Sequence, residues 1–405
     1  MRIAWVCPLP PAASGIADYS YELLPRMAEM ADVDAVAVRR GWRRPRAPRG
    51  IRVLSPEAFE QQAERYDAVF YHLGNNPWHG FVYELALKRP GIAVFHDFVM
   101  HHLIAAITVE NFKDWGRYRS LMRAEYGPSG DRLALLRWQG VATEFEKFVF
   151  PLNGHLARGA QAIVVHSEDT RERMHAVAPD VPAVVIPHHA TKAPADVAGL
   201  SRAEARAMLG LPPDAFLVGH FGFITRPKQP AAVVGGFARL AQRHPDALLV
   251  MIGADHTGGG LDRLTRRYGV SERVRLAGFV DLKKFYTYLK AVDAVVNLRY
   301  PSAGESSGTF ARTLAEGRAS IVNNLGAFAE VPPDVALKVE VDGNQAEAVG
   351  GHLLRLAEDP AFRATVESNA RRYAETVLDP ERCRDLYLNV AHLEELKKAA
   401  SLTPS

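Results

Sequence analysis

Residues 217–253 read LVGHFGFITRPKQPAAVVGGFARLAQRHPDALLVMIG. An apolar run closes in a glycine turn at Gly222, and a basic loop carries Arg226 and Lys228. A helix pattern follows, and a second apolar run begins at Leu248. Nearly continuous apolar strands alternating with helices make parallel sheets covered on both faces. The pattern extends outward in both directions. Strands are predicted at 217–223, 248–253, 274–279, 294–298, 320–323 and 337–341. An earlier series is predicted at 3–7, 35–39, 51–54, 68–72, 92–96, 162–166 and 184–187. The series occurs twice, so the fold class is α/β, with two Rossmann-like, doubly wound parallel-sheet domains. A chain of 405 residues also exceeds the size at which one core usually stops growing. The domains are expected at 1–190 and 214–378, joined by a linker at 191–213 with one short helix, SRAEARAML. A final helix occupies 379–405.

Composition is that of an ordinary globular protein, 48% hydrophobic and 23% charged. A formal net charge of +3 is too small to imply nucleic acid as a partner. Cys7 and Cys383 match no metal or redox spacing, and so few cysteines suit a reducing compartment. The opening MRIAWVCPLPP lacks the regions of a signal peptide, and no apolar run reaches membrane-span length. The expected location is cytoplasmic. The stretch RRGWRRPRAPR, from Arg39 to Arg49, has six arginines and no acid. It reads either as a solvated loop or as a contact for anionic lipid, or for a lipid-diphosphate acceptor, on the inner face of the membrane.

Doubly wound sheets bind ligands outside the carboxyl ends of their strands. The first strand runs into PLPPAASGIADYS, where Ser14, Gly15 and Ile16 open a helix. Glycine there allows close backbone approach, and helix N-terminal amides favour anions. The three-glycine dinucleotide spacing is missing. In VFHD, His96 and Asp97 follow an apolar strand. His96 is a candidate to hydrogen-bond a sugar hydroxyl or phosphate, and Asp97 to orient it or accept from an acceptor hydroxyl. HLGNNPWH (72–79) follows another strand and reads as a ligand-lining or self-packed loop. The histidines lack the short fixed spacing of a metal site, and no metal is expected.

In the second domain, Gly222, Arg226 and Lys228 suit a diphosphate, which needs fixed positive charge. The stretch NLRYPSAGESSGTFARTLAEGRASIVNN is more specific. Ser306, Ser307, Gly308 and Thr309 open a helix and present backbone NH groups and hydroxyls to an anion. Glu305, at the same mouth, is placed to accept two hydroxyls of a hexose or ribose. A capping box is the rival, weakened because the acid precedes the serines.

With these motifs in order, the chain resembles the retaining glycosyltransferases of family 4, of GT-B fold. The resemblance runs through SGIADYS, VFHD, VVHSEDTRERM, VIPHH, GFITRPK, VRLAGFV and ESSGTFARTLAEG. It implies two domains facing across a cleft, a nucleotide-sugar held mainly by the second and an acceptor held mainly by the first. It maps the family's first glycine-rich loop to Ser14–Ile16, its strand-end histidine to His96 and its phosphate-binding lysine to Lys228. Glu305 takes the place of its first sugar-binding glutamate and Ser306–Thr309 of its diphosphate-binding amides. Gly278, Phe279 and Val280 match the turn whose backbone meets the nucleotide base. The last helix, 380–397, is expected to return to the first domain.

Two positions depart from the family. Phe223 stands where arginine often follows the glycine, with Arg226 as a substitute. The second glutamate of a pair is missing, since Arg312 and Thr313 occupy that region; Glu316 is expected to pair with Arg312 on the helix surface. The implied reaction is retaining transfer of a hexose-type sugar, with UDP-sugar favoured over GDP-sugar, to a sugar or lipid-linked hydroxyl. Cell-surface polysaccharide or glycoconjugate synthesis is the expected setting. The donor phosphate would take the acceptor proton, with no cofactor and no divalent metal. Asp32 and Asp34, an apparent Asp-x-Asp, are expected to be solvated and to precede a strand. A nucleotide-sugar epimerase and a catalytically silent nucleotide-sugar-binding subunit remain alternatives.

Overall fold

The structure, a computed structural model, describes residues 1–39, 44–141 and 143–401. It divides into two units. One comprises Met1–His188, Ala303–Ser306 and Pro380–Ser405, and the other His189–Ser302 and Ser307–Asp379.

The first unit holds β1 (Arg2–Val6), β2 (Asp32–Val36), β3 (Arg52–Leu54), β4 (Ala68–Leu73), β5 (Ile92–Phe95), β6 (Ala162–Val165) and β7 (Ala183–Val185). They form one parallel sheet in the order β3-β2-β1-β4-β5-β6-β7. Central β4, AVFYHL, is buried at every position, as a strand covered on both faces must be. The chain reverses its winding between β1 and β4, where Ile3 pairs with Val33 on one side and Ala68 on the other. Doubly wound sheets bind ligands at such a reversal. Three helices matter below: α1 (Gly15–Met27), α2 (Gly80–Lys88) and α3 (Trp115–Trp138).

The C-terminal helix, Pro380–Ser401, packs on this sheet. Cys383, Tyr387, Val390 and Ala391 are buried in its core. The Tyr387 ring lies 4.9 Å from Trp5 and 5.4 Å from Phe70, and Tyr19 donates a 3.0 Å hydrogen bond to its hydroxyl. Its buried face joins the apolar cluster of the sheet, so hydrophobic burial holds it in place.

The acids near β2 need correcting. Asp32 and Asp34 lie within the strand, not ahead of it, and Asp34 is buried. Burial alone would raise the Asp34 carboxyl. Arg52 (2.7 Å), Tyr66 (2.7 Å) and Arg2 hydrogen-bond it and hold it below its ordinary value. Paired side chains thus admit a charge where the run of polar letters suggested solvent.

The second unit holds β8 (Leu217–Phe221), β9 (Leu248–Ile252), β10 (Val274–Gly278), β11 (Ala294–Asn297), β12 (Ala319–Asn323) and β13 (Leu337–Val339). Their order is β10-β9-β8-β11-β12-β13, again all parallel, with the reversal between β8 and β11. Helices α4 (Pro230–Arg243), α5 (Gly260–Arg267), α6 (Leu282–Ala291) and α7 (Gly308–Ala315) cover the sheet. The segment read as a linker carries two short helices, Ala195–Ala198 and Arg202–Met208, rather than one. Ser201 and Glu204 close a capping box on the second.

Candidate functional site

At the carboxyl ends of β4, β5 and β6 the first unit carries His72, His96 and His166, all buried. Their rings form a row. His72 Nδ1 lies 2.9 Å from His96 Nε2, His96 Nδ1 lies 3.0 Å from His166 Nε2, and His166 Nδ1 lies 2.7 Å from the Ile186 carbonyl. A carbonyl only accepts, so His166 Nδ1 carries the proton and its Nε2 accepts. The same logic then puts the proton on Nδ1 of His96 and on Nδ1 of His72. One backbone carbonyl therefore sets three tautomers. Burial holds His72 and His96 well below the ordinary imidazole range and lowers His166 to about 4, so the row is neutral at physiological pH. The chain ends on His72 Nε2, a buried acceptor with no hydrogen-bond partner among the described residues.

This arrangement corrects the expectation for His96. Its exposure is 6% and both ring nitrogens are occupied by other histidines, so the imidazole has no atom left for a substrate. Its geometry suits positioning of the strand ends. Asp97 is half-buried and accepts from the Asn75 amide at 2.8 Å. Asn75 also bonds His102 and the Leu103 amide, tying the 72–79 loop to the segment after β5.

Of the α1 residues, Ser14 is the N-cap and its side chain makes no capping bond. Its hydroxyl instead lies 3.3 Å from His79 Nε2, and His79 Nδ1 donates to the His72 carbonyl at 2.8 Å. Gly15 is exposed, with open space where a Cβ would stand, and Ile16 is half-buried. The first-turn amides of α1 are thus left without a side-chain cap.

In the second unit the ends of β8, β9 and β10 meet through glycines. Gly222 (φ 93°) donates to the Ile252 carbonyl, and Gly253 (φ 145°) donates to the Gly278 carbonyl, both at 2.8 Å. These torsions disfavour side chains, and a Cβ at Gly253 would collide with the Gly222 carbonyl. The Lys228 ammonium reaches back over Gly222 and donates to the Phe221 carbonyl at 2.8 Å. Arg226 and Lys228 bound a single 3-10 turn directly before α4. The Tyr300 amide donates to the Pro227 carbonyl at 2.7 Å, joining that turn to the loop after β11. The residues following β8 and β11, the two strands at the winding reversal, are therefore neighbours.

That loop leads to α7. Ser307 is its N-cap and accepts from the Phe310 amide and from Asn297, both at 3.2 Å. Part of the capping role weighed against a ligand is thus real, while Gly308 and Thr309 open the helix itself. Glu305 and Ser306 are half-buried in Ala303–Ser306, which groups with the first unit. Phe279 is exposed and Val280 packs against a core cluster. Phe223 is partly exposed, with its ring edge-on to His256 at 5.3 Å. Glu316 is not on the helix surface. It is buried, paired with Lys290 at 2.9 Å and bonded by the Ala193 amide at 3.1 Å.

A cavity of about 730 Å³ in this unit is lined by Arg226, Gln229, His256, Thr257, Arg263 and Gln345, among others. It lies beside the starts of α4 and α5, so two sets of helix N-terminal amides border it. Sequence reading missed the 256–260 side; its signal was three consecutive glycines, 258–260, just after β9. Among the described residues no cluster of histidine, cysteine or acidic side chains has metal-binding geometry. No described helix is long and apolar enough to cross a membrane.

Comparison with known proteins agrees with this geometry. Residues 201–373 match the family of glycosyl transferases group 1. The chain is 30% identical over 184 residues to a D-inositol 3-phosphate glycosyltransferase of Salinispora arenicola, covering 43% of this chain and 40% of that protein. A counterpart from Streptomyces bingchenggensis is 28% identical over 231 residues, covering 53% and 49%. The chain thus spans less than half the length of these curated relatives. Among solved structures, sucrose-phosphate synthase from Thermosynechococcus elongatus superposes with a TM-score of 0.70 at 19% identity, covering 99% of this chain and 100% of that one. Anabaena HepE in complex with UDP and glucose superposes at 0.64 with 16% identity, covering 96% and 99%. Residues 201–373 are accordingly a glycosyl transferases group 1 domain.

Proposed function

We propose that the chain transfers a hexose-type sugar from a nucleoside diphosphate donor to a hydroxyl acceptor, with retention at the anomeric carbon. UDP-sugar is the favoured donor. The observation that carries this reading is the glycine-lined end of β8, β9 and β10, with Lys228 and Arg226 beside it and the start of α7 following β11. Fixed cations and backbone amides at one sheet end suit a departing diphosphate, whose charge grows as the glycosidic bond breaks. Glu305 holds sugar hydroxyls, and Phe279 and Val280 offer backbone to the base. The donor's own phosphate accepts the acceptor proton, so no enzymatic nucleophile and no divalent metal are required. Arg312 and Thr313 leave the ribose without its usual carboxylate, and the polar cavity at Arg226, Gln229 and His256 supplies other hydrogen-bonding groups nearby. HepE bound to UDP-glucose supports the choice of donor base.

The acceptor belongs to the first unit, near Ser14 and Asp97, with the His72–His96–His166 row fixing the strand ends beneath them. The setting proposed is cell-surface polysaccharide or glycoconjugate synthesis in the cytoplasm, with peripheral contact to anionic membrane through 39–49. Residues 40–43 of that stretch lie outside the described residues. Incubation with a panel of nucleotide-sugars separates the readings. Free nucleotide favours a transferase, an altered sugar still on its nucleotide an epimerase, and binding without turnover a silent subunit.

A further inference from the structure

A second cavity lies wholly in the first unit and has a different character. It measures about 520 Å³ and is walled by Val38, Pro77, Trp78, Phe81, Ile107 and Phe112. Its walls come from the residues after β2, β4 and β5, on the carboxyl-end side where doubly wound sheets take ligands. A small apolar hollow lined by Pro8, Leu9 and Pro45 adjoins it through the shared residues Val38 and Trp78.

Of the polar side chains Glu84, Asn111, Asp114 and Arg117 at the rim, three are already engaged. Asp114 caps α3 through the Arg117 amide at 2.9 Å, and Arg117 pairs with Glu84 at 2.7 Å. A polyhydroxylated body seated here would lose water and gain few partners beyond Asn111. Phe112 is 72% exposed on this wall. The stretch leading to it is irregular: Ala106–Glu110 forms a π-turn, and Lys113 holds φ 59° without being glycine. Such irregularities persist where the surroundings hold them and concentrate at functional sites.

Next to the apolar walls the chain is cationic. Arg44 and Arg46 flank Pro45, and both are exposed, as is Arg49. None of the three has a carboxylate partner among the described residues; Arg46 rests over the Tyr21 ring at 5.9 Å. A charge set with no internal counterion beside an apolar cavity is complementary to a molecule of two parts.

We infer that this cavity takes an amphiphilic acceptor: a hydrocarbon or aromatic body against Trp78 and Phe112, and an anionic group toward Arg44 and Arg46. The identification of the bound molecule as acceptor rests on the transferase reading above; its chemistry rests on the cavity alone. Calorimetric titration with alkyl phosphates of six to twelve carbons, kept monomeric, tests it against neutral alkyl glucosides of matched length. Affinity should rise about threefold to fourfold per methylene, and the phosphates should bind more tightly than the glucosides. Phe112→Ser, at an exposed position, should weaken both series about tenfold with the melting temperature unchanged. Arg44→Glu should weaken the phosphates alone. Absence of chain-length dependence, or full affinity in Phe112→Ser, would overturn the assignment. Binding to vesicles of anionic phospholipid without binding of the monomers would also overturn it, in favour of a membrane surface. Donor hydrolysis is followed separately. Hydrolysis without alkyl phosphate binding defeats this inference alone, and alkyl phosphate binding without any donor turnover defeats the transferase reading alone.

Discussion

Acid should loosen the first unit before the second, through its buried histidines. His79 and His166 are both lowered by burial from 6.5 to about 4, so the folded unit keeps them neutral while the unfolded chain protonates them. A depressed pKa contributes stability that is complete above pH 6.5 and lost as pH falls toward 4. Between pH 7 and pH 5 each such group removes about 2 kcal/mol. The pair therefore accounts for about 4 kcal/mol, a large share of the 5–15 kcal/mol typical of a folded domain. All five tryptophans, Trp5, Trp42, Trp78, Trp115 and Trp138, fall within Met1–His188, so their fluorescence reports the first unit alone. Urea unfolding followed by that signal at pH 7, 6 and 5 gives the pH slope. His166→Gln and, independently, His79→Gln should each shrink the pH 7 to pH 5 loss by about 2 kcal/mol, whatever the carboxylates contribute. A slope unchanged in both variants would refute the neutral, buried state of these two histidines.

Three substitutions address the proposed chemistry and packing. Lys228→Ala should weaken UDP and donor together, by roughly 1.5–3 kcal/mol for a lost charge-assisted contact, measured by calorimetry; unchanged binding with a lower melting temperature would make Lys228 purely structural. Glu305→Ala should lower transfer about tenfold or more while leaving UDP affinity near the parent value, and equal activity would remove the sugar contact. Tyr387→Ala should destabilise the first unit by about 3–5 kcal/mol, the cost of emptying a buried aromatic position. A tryptophan-monitored midpoint within about 1 kcal/mol of the parent would show that the C-terminal helix does not hold the sheet.

Burial explains which features could be read from the sequence. Strands such as AVFYHL, IAVF and AIVV lie inside a sheet covered on both faces, so their apolar runs mark them without help from tertiary structure. β2 was displaced by three residues because its two aspartates look like solvent; the arginines and tyrosine that neutralise Asp34 come from other segments. Histidine at three neighbouring strand ends was visible, in YHL, VFHD and VVHS. Only the strand order brings those ends side by side, and that turns His96 from a ligand contact into the middle of a row. Glu316 was misread for the same reason, since its partner Lys290 lies on α6 and not on its own helix. The cations at 226 and 228 were legible because turn, charge and helix start are all local.

The central claim is transfer of a sugar out of a nucleotide donor by fixed protein groups. Proton NMR of the chain with UDP-glucose and an amphiphilic hydroxyl acceptor, in excess EDTA, tests it most directly. UDP and glycosylated acceptor should form in equal amounts, with the anomeric coupling of the donor preserved. An inverted anomer, a donor returned intact or epimerised, or turnover that stops with EDTA and resumes with magnesium would contradict it.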